Sequence, residues 1–306
     1  MNKRGFIAFG LALAGALAGL AAPVAADEKL KVTASFSILA DMVHQIGGDR
    51  VNVVTLVGPS GDAHVYQPTP ADARALLDSR VLFLNGLGFE GWMPRLQQST
   101  GFKGLTIVVS TGVKTQQMED EEGGKAKKVT DPHAWQSLAN GRLYAQNIRD
   151  GLVMADPDGK AGYEANAAKF IAAIDALEAE VKASIDKIPT ARRRIITSHD
   201  AFGYFGIAYG MQFLAPAGVA TDAEPSAKDV ARIIRQIRSE KIPAVFLENI
   251  TDTRMIAQIS RDSGAKIGGT LFSDALSPAD GPAATYLDMF RHNIKSLRSA
   301  LAPEGN

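Results

Sequence analysis

Residues 163–188 read YEANAAKFIAAIDALEAEVKASIDKI, a run without glycine or proline that Pro189 brings to an end. Phe170, Ile174, Leu177, Val181, Ile185 and Ile188 recur at steps of three and four, the spacing that places side chains on one face of an α-helix. Alanine and glutamate, both good helix formers, fill much of the rest. The spacing predicts a single helix over 161–188. About 26 residues at 1.5 Å each make a rod of roughly 39 Å. That is longer than one ordinary layer of a domain, so the helix reads as a backbone joining an N-terminal lobe (27–160) to a C-terminal lobe (189–306).

Strands and helices alternate on both sides of this helix. Before it, Leu30–Phe36 and the β-branched Val51–Val57 read as strands, as do Arg80–Asn85 and Leu105–Ser110. Helices are expected at Ile38–Ile46 and at Pro70–Asp78, where proline suits a first helical position. After it, Arg194–Thr197, Met211–Leu214, Ala244–Glu248 and Lys266–Leu271 read as strands. Helices are expected at Ala227–Lys241, from Thr253, and at Ala283–Leu301. Such alternation predicts an α/β fold of two (β/α) lobes with mainly parallel sheets, joined by the long rigid helix. The two halves share an element order but no clear residue-level repeat. Glu119–Lys128, EDEEGGKAKK, reads as an exposed and mobile charged loop.

The N-terminus suggests export. Lys3 and Arg4 precede an apolar run from Phe6 to Ala22, then Pro23-Val24-Ala25-Ala26, then charge at Asp27. This is the layout of a secretory signal peptide over 1–26, cleaved after Ala26. The alternative, a membrane anchor, needs about 20 apolar residues, which the run does not reach. The 306 residues less these 26 leave 280, with 46% apolar residues to build cores. There is no cysteine, which excludes disulfides, thiolate metal sites, cysteine nucleophiles and a lipid-bearing cysteine at the cleavage point. An exported chain without lipid fits a Gram-negative periplasm. Thirty-three basic and 33 acidic residues balance, leaving no basic excess for nucleic acid.

Five histidines are present, and three share a setting. His64 lies between a strand and a helix, His133 in an Asp-Pro-His turn before a helix, and His199 at a strand end. Asp274 lies just after a strand. These four are separated by 69, 66 and 75 residues. In open α/β sheets ligands bind beyond the carboxyl ends of the strands, so four such side chains can converge in a cleft between two lobes. Three imidazoles and a carboxylate complete a tetrahedron suited to zinc. Taken singly, each has a plainer reading: a histidine can hydrogen-bond a turn, and Asp274 can cap a helix. His44 and His292 fall within helices and read as surface or packing residues.

Four segments carry a resemblance. They are His64-Val65-Tyr66-Gln67-Pro68-Thr69-Pro70, Asp131-Pro132-His133-Ala134-Trp135, Thr197-Ser198-His199-Asp200-Ala201-Phe202-Gly203-Tyr204-Phe205, and Leu271-Phe272-Ser273-Asp274. In this order they resemble the metal-binding receptors of bacterial zinc and manganese ABC importers, the cluster A-I or ZnuA/TroA type, over nearly the whole chain. The resemblance implies two lobes joined by one helix, metal in the cleft, and His64, His133, His199 and Asp274 as ligands. Manganese receptors of the family generally carry glutamate at the third position. His199 there suits zinc, and the aspartate at the fourth resembles the AztC-like group.

Two departures stand out. The region 118–128 has no histidine, where many zinc receptors carry a His-rich loop, and Ala63 and Gln67 replace the usual proline and glutamate. Asp62, Asp200 and Glu248 are candidates for orienting the imidazoles, since a ligating histidine usually donates its other N–H. The expected partners are a zinc ion, an importer permease subunit and, as a further candidate, a periplasmic zinc metallochaperone. The chain is expected to act as a monomer and not as an enzyme. The competing readings are a manganese receptor, a surface adhesin, and a zinc hydrolase in which Asp274 serves as a free base. No His-Glu-x-x-His or Gly-x-Ser-x-Gly motif supports the last.

Overall fold

The computed structural model describes residues 28–122, 125–218, 221 and 225–302, so the expected signal peptide lies outside the described residues. The N-terminal lobe contains β1 (Leu30–Phe36), α1 (Ser37–Gly47), β2 (Val51–Val57), α2 (Pro70–Asp78), β3 (Val81–Leu84), α3 (Met93–Thr100) and β4 (Leu105–Val108). A hairpin of β5 (Gln117–Glu122) and β6 (Lys125–Thr130) and a helix α4 (Leu138–Ala155) lead into α5 (Lys160–Ile185). The C-terminal lobe follows with β7 (Arg194–Ile196), α6 (Gly203–Tyr209), β8 (Gln212–Leu214), α7 (Ala227–Glu240), β9 (Ala244–Glu248), α8 (Thr253–Ser263), β10 (Lys266–Leu271) and α9 (Tyr286–Leu301).

Both main sheets have four parallel strands, ordered β2-β1-β3-β4 and β10-β9-β7-β8. Counted in chain order within each lobe, both read 2-1-3-4. The lobes therefore share a topology as well as an element order. Each sheet has its order reversal between its first and third strands, where α/β sheets open a crevice at their carboxyl ends.

The long helix is present. α5 buries Phe170, Ile174, Leu177, Val181 and Ile185, the face read from the spacing, and Ile188 is buried just beyond its end. It packs against α1 and α4 on one side and α9 on the other, so it touches both lobes. One hydrophobic core runs through both, from Val32 and Phe83 through Ile174 and Leu177 to Phe246 and Leu297. A second, smaller cluster of Ile196, Ile233, Ile237, Val245, Ile256 and Ile259 lies between the C-terminal sheet and α7 and α8.

One segment departs from the sequence reading and another extends it. The charged stretch 119–128 is not an irregular loop but most of an antiparallel hairpin. Its register runs from Gln117 opposite Thr130 to Glu122 opposite Lys125. The helix α4 is the one expected after the His133 turn, but its extent, Leu138–Ala155, is hidden in the sequence because Gly141 and Gly151 obscure its periodicity. Both glycines serve close packing. A Cβ at Gly141 would sit 2.5 Å from the Tyr286 hydroxyl, and one at Gly151 would sit 2.7 Å from Ile107 Cγ1.

The facing of α5 can be checked by substitution. Ile174→Ala should cost about 2–5 kcal/mol of unfolding free energy, as expected for a truncated core isoleucine. Asp175→Ala, which removes an exposed pair with Arg142, should change it by less than about 1 kcal/mol. Urea denaturation of both variants measures this, and equal effects would contradict the assigned face.

Candidate metal centre

His64 leaves the end of β2, His199 the end of β7 and Asp274 the end of β10, while His133 lies between the hairpin and the turn opening α4. Two of these positions use one local device. Asp62 accepts the backbone N–H of His64 at 2.9 Å, and Asp131 accepts that of His133 at 2.9 Å. In each the aspartate closes a turn on the residue two positions later and presents the histidine ring inward.

The four side chains meet. Their ligand atoms all lie within 4.8 Å of one another. His64 Nε2 is 3.2 Å from His133 Nε2 and 3.2 Å from Asp274 Oδ2. His199 Nε2 is 3.1 Å and His133 Nε2 3.7 Å from the same oxygen. His133, His199 and Asp274 are buried, and the His64 side chain is 6% exposed. His44, by contrast, is exposed on α1. His292 packs edge-on to Phe272 with its Nε2 on the Thr270 carbonyl, so both stand apart from the cluster.

The loops carrying these residues are tied across the lobes. Trp135 Nε1 and Gln136 Nε2 both donate to the Ser273 carbonyl, at 2.9 and 2.6 Å. The Tyr286 hydroxyl donates to the Trp135 carbonyl at 2.6 Å. Leu276 donates its N–H to Ser37 Oγ and accepts from the Ser60 amide. Asp274 is therefore held against the N-terminal lobe although its strand belongs to the C-terminal sheet.

Two imidazoles are aligned by carboxylates. His133 Nδ1 donates to Asp131 Oδ1 at 2.9 Å, and Gln116 steadies the other oxygen at 2.7 Å. His199 Nδ1 lies 2.8 Å from Glu248 Oε2, an ionic contact off the line of a hydrogen bond. Glu248 Oε1 accepts the amides of Ser198 and His199. Of the expected orienting residues, Glu248 meets a ligand ring, Asp62 meets only the His64 backbone, and Asp200 meets neither. The sequence reading passed over Asp131. Its signal was available, because Asp131-Pro132-His133 repeats the spacing of Asp62-Ala63-His64.

The electrostatics call for a cation. The buried carboxylate and histidine side chains among the described residues are Glu90, Asp131, Glu248, Asp274, His133 and His199, and no lysine or arginine is buried among those residues. Asp274 Oδ1 is buried without a hydrogen-bond partner. Burial pushes Asp274 up, but His133 and His199 outweigh it and hold the carboxyl well below its ordinary value. Burial pulls His133 down, yet Asp274 and Asp131 raise it to about 9, and Glu248 and Asp274 raise His199 in the same way. His64 is lowered by burial. Both shifts favour protonated imidazoles at His133 and His199 in the metal-free cluster.

Fold and site together define a class, a two-lobed α/β protein with a buried three-histidine, one-aspartate cluster at the lobe junction. Residues 32–300 match the family described as ZnuA, zinc-uptake complex component A periplasmic, and the chain belongs to that family. It is 34% identical over 275 residues to the manganese-binding lipoprotein MntA of Halalkalibacterium halodurans, covering 90% of this chain and 89% of that one. It is 32% identical over 285 residues to the iron ABC transporter substrate-binding lipoprotein MtsA of Streptococcus pyogenes, covering 91% of each. Its structure resembles that of the periplasmic zinc binding protein TroA from Treponema pallidum, with a TM-score of 0.84, 29% identity, and coverage of 90% of this chain and all of that one.

Two predictions follow from the geometry. Asp131→Asn should weaken metal binding by about tenfold while leaving one ion per chain, as loss of an imidazole's carboxylate partner does elsewhere; competition with a chelating dye measures it. The raised histidines set the direction with pH. Their protons stabilise the metal-free protein below the ordinary imidazole value of about 6.5, and that contribution is lost as pH rises through about 9. Metal affinity should run the other way and climb from pH 6 to 9. Calorimetry at pH 7 in buffers of differing ionisation enthalpy should register at least one proton released per ion, and a zero slope would contradict the protonated cluster.

Proposed function

We propose that this chain captures zinc in the periplasm and delivers it to the permease of an ABC importer. The observation that carries the reading is His199. With it the cluster offers three imidazole nitrogens and one carboxylate oxygen, a borderline set that favours zinc over manganese, which prefers oxygen-rich sites. Geometry agrees. Tetrahedral zinc with bonds of about 2.0–2.1 Å needs ligand atoms about 3.3–3.4 Å apart. Four of the six separations, 3.1, 3.2, 3.2 and 3.7 Å, bracket that value, and all six lie within 4.8 Å. In this reading His64, His133, His199 and Asp274 bind the ion, Asp131 and Glu248 orient two of the rings, and the aspartate places the chain nearest the AztC-like group.

The reading is of transport and not catalysis. A catalytic zinc keeps one position for water, and here Asp274 Oδ2 stands within 3.7 Å of all three nitrogens. The apolar segment from Phe6 and the lack of cysteine support export as a soluble periplasmic protein. Residues 1–26 would then be the signal, 27–160 and 189–306 the lobes, and 161–188 the linking helix. A permease subunit and a periplasmic zinc metallochaperone are the proposed protein partners of a monomeric receptor.

A manganese receptor is the second reading. The free Asp274 Oδ1 can add an oxygen ligand, and one relative is named for manganese and another for iron. Metal analysis after competition separates the two. Under the zinc reading the mature chain retains one zinc against about a hundredfold excess of manganese, and His199→Glu weakens zinc and narrows that preference. Preferential uptake of manganese by the wild type would overturn the zinc assignment.

A further inference from the structure

Two of the three imidazoles have a carboxylate at Nδ1. Among the described residues the third, His64, has polar ring partners only at Nε2. Something else must set its angle. The Phe89 ring lies edge-on to His64 at 4.7 Å and to His133 at 6.1 Å, and it is itself gripped by Phe36 at 4.9 Å and Trp135 at 4.8 Å. Three residues on, Trp92 Nε1 donates to the carbonyl of Ala63 at 2.8 Å, fixing the backbone beside His64.

Phe89 and Trp92 belong to the segment Asn85-Gly86-Leu87-Gly88-Phe89-Glu90-Gly91-Trp92 between β3 and α3. Its backbone is costly. Gly86, Leu87 and Gly88 all take positive φ, at 80°, 57° and 86°, a region a leucine rarely enters. A Cβ at Gly86 would also fall 2.5 Å from Val108 Cγ1. The buried carboxylate of Glu90 closes this turn. Its Oε1 accepts the Asn85 amide at 2.7 Å and the Ser35 hydroxyl at 2.6 Å, and its Oε2 accepts the Gly86 amide at 3.1 Å. Burial raises the Glu90 carboxyl above its ordinary value, and these three bonds pull it back. The Asn85 side chain in turn reaches the Pro132 carbonyl at 2.9 Å, next to His133.

We infer that Glu90 is a positioning residue of the metal site, fastening the 85–92 turn so that Phe89 and Trp92 brace His64 in place of the carboxylate that the other two histidines have. The inference rests on the metal-receptor reading. Glu90 touches no ligand atom and acts through Phe89 and the backbone.

Cobalt(II) is the probe, because its visible bands report coordination geometry and not merely occupancy. Glu90→Gln keeps the size but turns one acceptor into a donor facing an amide. Phe89→Leu keeps the Glu90 cage and changes only the brace. Both should still take one cobalt per chain, shift or weaken its visible bands, and release metal about tenfold faster, the scale on which groups behind the ligands act. The double variant should be little worse than either single one, since the two residues act in series. If Glu90→Gln does not fold, the band shift and release rate of Phe89→Leu decide. Wild-type bands and release rates in the folded variants would overturn the inference alone. A wild-type chain that takes up no cobalt or zinc would overturn the metal-receptor reading and this inference with it.

Discussion

The structure depends on the convergence of four polar side chains on one buried point. Three imidazole nitrogens and a carboxylate oxygen stand within 4.8 Å of one another, amid buried carboxylates and, among the described residues, no buried lysine or arginine. Desolvated negative charge is expensive unless matched. Either protons on the histidines or a divalent ion can match it, and the two compete for the same lone pairs. The affinity of the centre is therefore inseparable from the protonation of His133 and His199.

Convergence of this kind needs precise backbones, and each lobe supplies them with the same architecture. Parallel sheets of order 2-1-3-4 send their strand ends toward one edge, and turns closed by Asp62 and Asp131 aim two histidines from it. The loop of Asp274 is then sewn to the opposite lobe through Ser273, Leu276 and Tyr286. Every ligand is held by bonds to its own backbone segment or to the facing loop, which lets a site assembled from four distant parts of the chain keep one geometry.

Much of this was legible in the sequence, and for identifiable reasons. The apolar repeat from Phe170 to Ile188 is strict because α5 buries one face along its whole length. The four clustered side chains stood out because histidine is scarce here and three of five sit at element ends. Asp131 was harder to read, because an aspartate before proline serves as well in an ordinary turn, and only the geometry puts its oxygen on His133 Nδ1. Asp200 misled for the converse reason: it adjoins a ligand in sequence, yet its backbone amide is turned to the Gly218 carbonyl. The hairpin at 117–130 is hard to read because charged residues crowd its strands and leave no clear apolar alternation. The shared role of Ser35, Asn85 and Glu90 draws on residues up to 55 positions apart and has no local signature.

The continuous core has a mechanical consequence. Because apolar packing passes from the N-terminal sheet through α5 and α9 into the C-terminal sheet, swinging the lobes apart would tear the largest cohesive unit in the molecule. The isoleucine cluster beneath α7 and α8 is separate and far smaller. A displacement confined to α7 and α8 would disturb only that smaller cluster, on the outer side of the C-terminal lobe, and leave the shared core intact.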